Sequence, residues 1–311
     1  MPPCMTLIDR RHTLPPGGET HWLTMADGAR LRAMRWAGHG RSSILGRGSI
    51  LLLTGRADFI EKYSETLHDL LALGWDVAAL DWRGQGLSGR MGKTPMHGHV
   101  TNFHIWRQDL AEVMVWFHAA CPAPHHAMAH SMGGHLLLHH LAGHPESLCR
   151  AVLLAPMLGL QAPPFGLCVS AAIARLMVMA GRGGDYVMGG GPYGTGADVR
   201  QPLLTSDPTR FADEQWWVQQ TPALALGSPT WAWLAAAAGS IKGFDAGSLS
   251  TPLLVLMAEH EGLVDNKATR RVLDGHAELE SVTGAAHEIL RERSDIRAMA
   301  LARINAYLQA S

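Results

Sequence analysis

Several short stretches of this chain are continuously apolar rather than alternating: Ser49 to Thr54 (SILLLT), Asp76 to Leu80 (DVAAL), Ala127 to Ala129, Ala151 to Ala155 (AVLLA) and Pro252 to Met257 (PLLVLM). Runs of this kind suit strands buried on both faces of a parallel sheet. Upstream, THWLTMADGARLRAMRW alternates around Asp27-Gly28, a dipeptide that favours tight turns, and predicts a β-hairpin. Between the apolar runs the period becomes helical. EKYSETLHDLLALG stops at Gly74, and NFHIWRQDLAEVMVWFHAA has Asn102 as N-cap and Pro122 beyond its end. ELESV predicts one more strand, and Asp295 to Leu308 a final helix. Strand and helix in alternation imply crossover units, hence an α/β fold with a mostly parallel sheet and helices on both faces.

The alternation breaks between about Met157 and Ser250, where PFGLCVSAAIARLMVMAGRGG and DEQWWVQQTPALALGSPTWAWLAAAAG read as helical, tryptophan-rich segments. A helical insertion at that point would cover the strand ends, where open α/β sheets bind ligands. The expected organisation is therefore a core in two parts, 1–156 and 251–311, with a helical cap at 157–250. The glycine-rich GGDYVMGGGPYGTG is expected to be a loop. A length of 311 residues with 47% apolar content is enough for one large domain carrying such an insertion.

Net charge and cysteine usage narrow the function classes. A formal charge of -1 without blocks of like charge gives nothing to attract a phosphate backbone, so no nucleic-acid partner is expected. Cys4, Cys121, Cys149 and Cys168 have no C-x-x-C spacing, which argues against a zinc knuckle or disulfide framework and for a reducing compartment. No stretch is long and apolar enough for a signal segment or a membrane span, and a cytoplasmic location is expected.

The stretch AMAHSMGGH places Ser131 after a short strand and before Gly133-Gly134 and a helical run. A nucleophile elbow has this layout: a strained serine between strand and helix, with small residues two before and two after, here Ala129 and Gly133. The motif is A-x-S-x-G rather than G-x-S-x-G, a difference of one methyl group; a helix-capping serine is the plainer alternative. A nucleophilic serine needs a base and an acid, which in such folds follow in the order Ser, Asp/Glu, His. AEHEGLVDNKA after PLLVLM supplies Glu259, Glu261 and Asp265, and TGAAHEILRE after ELESV supplies His287.

With 18 histidines, only position discriminates. His135, His139, His140 and His144 fall on the helix after the elbow, at spacing that could hold a metal, but without a carboxylate or cysteine at ligand spacing they read as packing residues, and no metal is expected. Gly84, Gly86 and Gly89 match G-x-G-x-x-G, yet RMGKTPMHGH follows instead of a helix. Gly92-Lys93-Thr94 ends like a P-loop whose first glycine is replaced by Leu87. No nucleotide or other cofactor is expected.

Taken in order, LLLTGRADFIEKY, DWRGQGLSG, AHSMGG, LLVLMAEHEGLVDNKA and GAAHEILRE resemble the monoglyceride lipase and lysophospholipase branch of the α/β-hydrolases, often described as serine aminopeptidase-like, over roughly Trp22 to Leu308. The resemblance implies Ser131 as nucleophile, His287 as general base, and an oxyanion hole from the N–H groups of Arg56 and Met132. Thr54 stands where the family usually has histidine. Glu261 aligns with the family's catalytic aspartate; Asp265 is its rival, and Glu259 lies nearer the strand. The activity implied is two-step acyl transfer from a lipid or small-molecule ester.

The apolar run Phe165 to Ala180 and Trp216, Trp217, Trp231 and Trp233 would either line an acyl-chain site or fill the cap's own interior, and peripheral membrane contact through the cap is an open expectation. Two other readings stand beside this one. Cap carboxylates (Asp185, Asp198, Asp207, Asp213, Glu214 and Asp245) would suit a proline iminopeptidase-like enzyme if clustered. The glutamate at the acid position would suit a silent hydrolase used as a binding module.

Overall fold

The computed structural model describes residues 5–38 and 47–310. Its strands are β1 Glu19–Thr24, β2 Arg30–Trp36, β3 Ser49–Leu53, β4 Asp76–Leu80, β5 His125–His130, β6 Arg150–Leu154, β7 Leu253–Ala258 and β8 Glu278–Val282. Its helices are α1 Leu7–His12, α2 Ser64–Ala72, α3 His104–Ala120, α4 Met132–Gly143, α5 Gly166–Met179, α6 Ala197–Leu204, α7 Pro208–Gln220, α8 Trp231–Lys242, α9 Asn266–Leu273 and α10 Ser294–Gln309. The sheet order is β1-β2-β4-β3-β5-β6-β7-β8. The hairpin β1/β2 joins β4 antiparallel, and β4 through β8 pair in parallel.

The continuous apolar runs are explained by burial on both sheet faces: every residue of β3, β4 and β7 is buried. One apolar layer gathers Leu51, Leu53 and Ala129 with α3 and α4, and the other gathers Ile50, Leu52 and Val152 with α2 and α10. Strand β5 begins two residues before its apolar run, because His125 and His126 extend the ladder. Their side chains find local partners: His125 Nε2 lies 2.9 Å from the Cys121 carbonyl, and His126 packs edge-on against Trp75.

Four helices, α5 to α8, lie between β6 and β7. Of these, α6 was not legible in sequence, since its N-cap is Gly196 with φ +68° and it carries Pro202 inside it. The N-terminal segment also departs from expectation. Ahead of the hairpin, where the sequence offered no element, it contains α1, capped by a Thr6/Asp9 capping box, and docked on α7. Arg11 binds Asp213 through two 2.7 Å contacts, His12 stacks on Trp216 at 4.1 Å, and the Trp217 indole donates to the Arg11 carbonyl. Two tryptophans of the insertion are thus occupied by α1.

Burial pushes the imidazoles of His126, His139 and His140 down to about 4, and that of His135 well below its ordinary range. The unfolded chain takes up protons at these sites below about pH 6.5, which the folded chain refuses at His126, His139 and His140 until about pH 4, so stability falls as pH drops through that window. The urea midpoint is therefore expected to be lower at pH 5.5 than at pH 7.5. An unchanged midpoint would mean that these rings protonate without unfolding.

Candidate active site

Ser131 is the single residue between the end of β5 and the start of α4, with φ +51° and ψ -114°, a backbone region that side chains other than glycine rarely occupy. Its own backbone bonds over-determine that geometry. The Ser131 N–H donates to Leu154 O at 2.9 Å, and its carbonyl accepts from Met157 and His135. Close approach explains the small neighbours. A Cβ on Gly133 would sit 2.5 Å from Thr54 O and 2.7 Å from Leu53 O, and Ala129 is fully buried.

The His287 loop follows β8 and brings the ring to the serine: Nε2 lies 2.9 Å from Ser131 Oγ, and Nδ1 lies 2.8 Å from Glu261 Oε2. The other Glu261 oxygen accepts the N–H groups of Leu263 and Val264 at 2.8 and 3.1 Å. Burial alone would raise this carboxyl; the facing imidazole and these donors outweigh it, and the net shift is downward. An ionised Glu261 accepts Nδ1–H, which leaves Nε2 as the acceptor toward the serine hydroxyl. Asp265 is turned elsewhere: it caps α9 through the Lys267 and Ala268 N–H groups at 2.8 and 3.2 Å. Glu259 accepts from Gly284 N–H.

Among the described residues, neither the Arg56 nor the Met132 N–H has an internal acceptor. The loop carrying Arg56 is clamped from both ends. Gly55 N–H donates to Asp58 at 2.9 Å, Ala57 N–H to Gln85 Oε1 at 2.5 Å, and the Trp82 indole to Thr54 O at 2.8 Å. Thr54 itself turns its hydroxyl toward Leu80 O at 3.4 Å. Gln85 comes from the Gly84-Gln85-Gly86 turn, so the glycines that imitate a dinucleotide motif shape a brace for this loop. At Gly86, φ is +51° and a Cβ would fall 2.1 Å from the Asp81 carboxyl carbon.

Beneath the site lies a buried charge cluster that sequence reasoning missed. Lys62 Nζ contacts Asp58, Glu214 and Glu288 at 2.6, 2.8 and 2.6 Å. Arg291 pairs with Glu288 at 2.5 Å, and Arg200 with Glu214 at 2.9 Å. Burial would neutralise these groups, yet the Lys62 ammonium and the guanidiniums hold Glu214 down to about 2 and keep Glu288 low. His130 joins through Asp58 and Tyr63, and its Nε2 lies 3.3 Å from the His287 carbonyl. The end of α6 adds a strap: Leu203 O and Leu204 O accept from His287 N–H and Glu288 N–H at 3.3 and 2.7 Å. The signal for this cluster was present as charges inside the apolar-flanked FIEKY and HEILRE, but their partners are remote in sequence.

A family described as serine aminopeptidase, S33, matches residues 45–294. A probable lysophospholipase L2 of Haemophilus influenzae is 32% identical over 268 residues, covering 84% of each chain. Lysophospholipase L2 of Escherichia coli K12 is 33% identical over 273 residues, covering 81% of this chain and 77% of the relative. Among solved structures, a soluble variant of monoglyceride lipase from Saccharomyces cerevisiae, in complex with a substrate analog, superposes with a TM-score of 0.73 at 18% identity, covering 94% of this chain and 96% of that one. At that identity the likeness is one of fold.

Proposed function

Because this chain belongs to the serine aminopeptidase, S33, family and is an ester hydrolase of the α/β-hydrolase fold, we propose that it cleaves single-chain lipid esters, such as lysophospholipids or monoacylglycerols, through an acyl-enzyme on Ser131. His287 takes the serine proton as Oγ attacks the ester carbonyl; Glu261 holds the imidazole in the receptive tautomer. The N–H groups of Arg56 and Met132 bind the oxyanion, an alcohol leaves, and water releases the acid by the reverse sequence. The observation that carries this reading is the unbroken Ser131–His287–Glu261 hydrogen-bond relay.

An ester rather than a free amino terminus is favoured by the state of the cap carboxylates. Asp185 pairs with Lys93 and Arg182, Asp207 caps α7, Asp213 binds Arg11, and Glu214 binds Lys62. A substrate ammonium bound at any of these four would have to displace its partner, and the other two, Asp198 and Asp245, are exposed. A fluorophosphonate probe is expected to label Ser131 of the folded protein, with labelling lost in Ser131→Ala. A folded protein that never labels would favour the binding-module reading, and turnover of prolyl amides without esters would favour the aminopeptidase.

Helix α5 presents Phe165, Val169, Leu176 and Met179, with Met179 82% exposed, along one side. Spacings of four, seven and three residues place them on a common helical face, which we assign to contact with the lipid surface that holds the substrate. Leu176→Glu is expected to weaken sedimentation with lipid vesicles while sparing turnover of a water-soluble ester. Equal vesicle binding by both forms would remove the assignment.

A further inference from the structure

The fully buried arginines among the described residues come with carboxylates: Arg11 with Asp213, Arg32 with Glu61 and Asp81, Arg210 with Glu65, Arg291 with Glu288, and Arg297 with Asp69. Two part-buried arginines do not: Arg90 spends its donors on the carbonyls of Gly86, Gly89, Pro95 and Ala223, whereas Arg56 makes a single backbone contact. Its partly buried guanidinium donates from Nη1 to Gly227 O at 3.1 Å and lies 5.8 Å from the centre of the Trp233 ring, and among the described residues it has no ion-pair partner. The carboxylates that act on it from a distance, Asp58 and Glu214, are already bound to Lys62. The remaining strong influence is Arg200, of like charge; burial first and Arg200 second pull the Arg56 guanidinium down to about 10.

A cation partly withdrawn from water without a counter-ion is costly, and a ligand that supplies the charge would relieve that cost. The placement says which ligand. Arg56 sits in the loop clamped against the elbow, and its side chain spans from that core loop to Gly227 and Trp233 of the helical insertion. An ester carbonyl held by the Arg56 N–H therefore has, a few bonds away, the guanidinium of the same residue. Resting on the serine-esterase reading above, we propose that Arg56 receives the phosphate of a lysophospholipid headgroup, so that the site prefers a phosphorylated glyceryl ester to an uncharged monoacylglycerol. The planar fork of arginine pairs with two phosphate oxygens, and Arg200 is near enough to act on the same guanidinium.

The test compares a lysophosphatidylglycerol and a monoacylglycerol with the same short acyl chain, both below their micelle concentrations, on the full chain. The unsubstituted protein is expected to favour the phosphorylated ester. Arg56→Met is expected to lower the ratio of the two kcat/KM values by roughly ten- to a hundredfold, the size of a charge-assisted contact, chiefly through KM for the phosphorylated ester. Arg56→Lys should restore part of the ratio. Equal losses on both esters would assign the side chain to shaping the oxyanion loop and overturn the proposal. So would an unsubstituted protein that prefers the monoacylglycerol, or a variant whose only change is weaker inhibition by the fatty-acid product, which would make the carboxylate the anion received. Absence of both probe labelling and ester turnover would instead remove the underlying esterase reading, and this proposal with it.

Discussion

Ser131→Ala is expected to lower kcat for any ester substrate by roughly 10⁴- to 10⁶-fold, because in the proposed mechanism the hydroxyl forms the covalent intermediate. The fold should survive, since the strained backbone of residue 131 is held by bonds from its N–H and carbonyl and not by its side chain. Circular dichroism of the variant checks that point. The acid is resolved by a matched pair. Glu261→Gln keeps the shape but turns an amide toward Nδ1, favouring the wrong tautomer, and should cost about 10⁴-fold in kcat. Asp265→Asn should leave kcat within a few-fold, because the side chain caps α9 and asparagine caps about as well. The reverse pattern would transfer the acid role to Asp265. Retained turnover in Ser131→Ala would end the acyl-enzyme mechanism altogether.

The largest expected effect on stability comes from Lys62→Met. Lys62 is 5% exposed and joins three carboxylates, from the Arg56 loop (Asp58), from α7 (Glu214) and from the residue after His287 (Glu288). Three cations, Lys62, Arg200 and Arg291, thus face those three anions. Removing one partner of a buried ionic group leaves uncompensated charge and costs about 3–5 kcal/mol. Urea unfolding read by fluorescence checks the size. A loss under about 1 kcal/mol would mean that water or a rearranged arginine replaces the ammonium. Acid should act in the same direction: Glu214 is held down to about 2, so the stability it contributes is complete above its ordinary range near 4.5 and is lost as pH falls toward 2. Because the cluster touches three elements of the site, partial unfolding there should abolish ester turnover before the distal hairpin β1/β2 opens.

The local chemistry of the sequence was enough for the sheet. Continuous apolar runs mark β3, β4, β6 and β7, because a strand with both faces covered has no position left for a polar residue. The elbow was equally legible, since Ala129 and Gly133 answer to a steric limit set within a few residues of Ser131. The order of the chain also narrowed the base to His287 among many histidines. What stayed open was the acid. Glu261 and Asp265 are four residues apart, chemically alike, and both follow β7; only the packed loop shows that one carboxylate points at the imidazole while the other satisfies a helix N-terminus.

The parts invisible in sequence are those whose stabilising partner is remote along the chain. Helix α1 forms against α7 about 200 residues away, and α6 forms, despite its proline, where its terminal carbonyls meet the His287 loop. Periodicity reports burial against a nearest layer, whereas ion pairs among Lys62, Glu214 and Glu288 depend on where the finished layers bring charges together. The sequence by itself thus determined the scaffold and the elbow that carries Ser131, and it placed His287 in the loop that meets it, because local packing limits act over a few residues. Only tertiary structure decided which carboxylate faces the His287 imidazole and that the Arg56 guanidinium meets no carboxylate among the described residues, because both are facts about distance between segments that never meet along the chain.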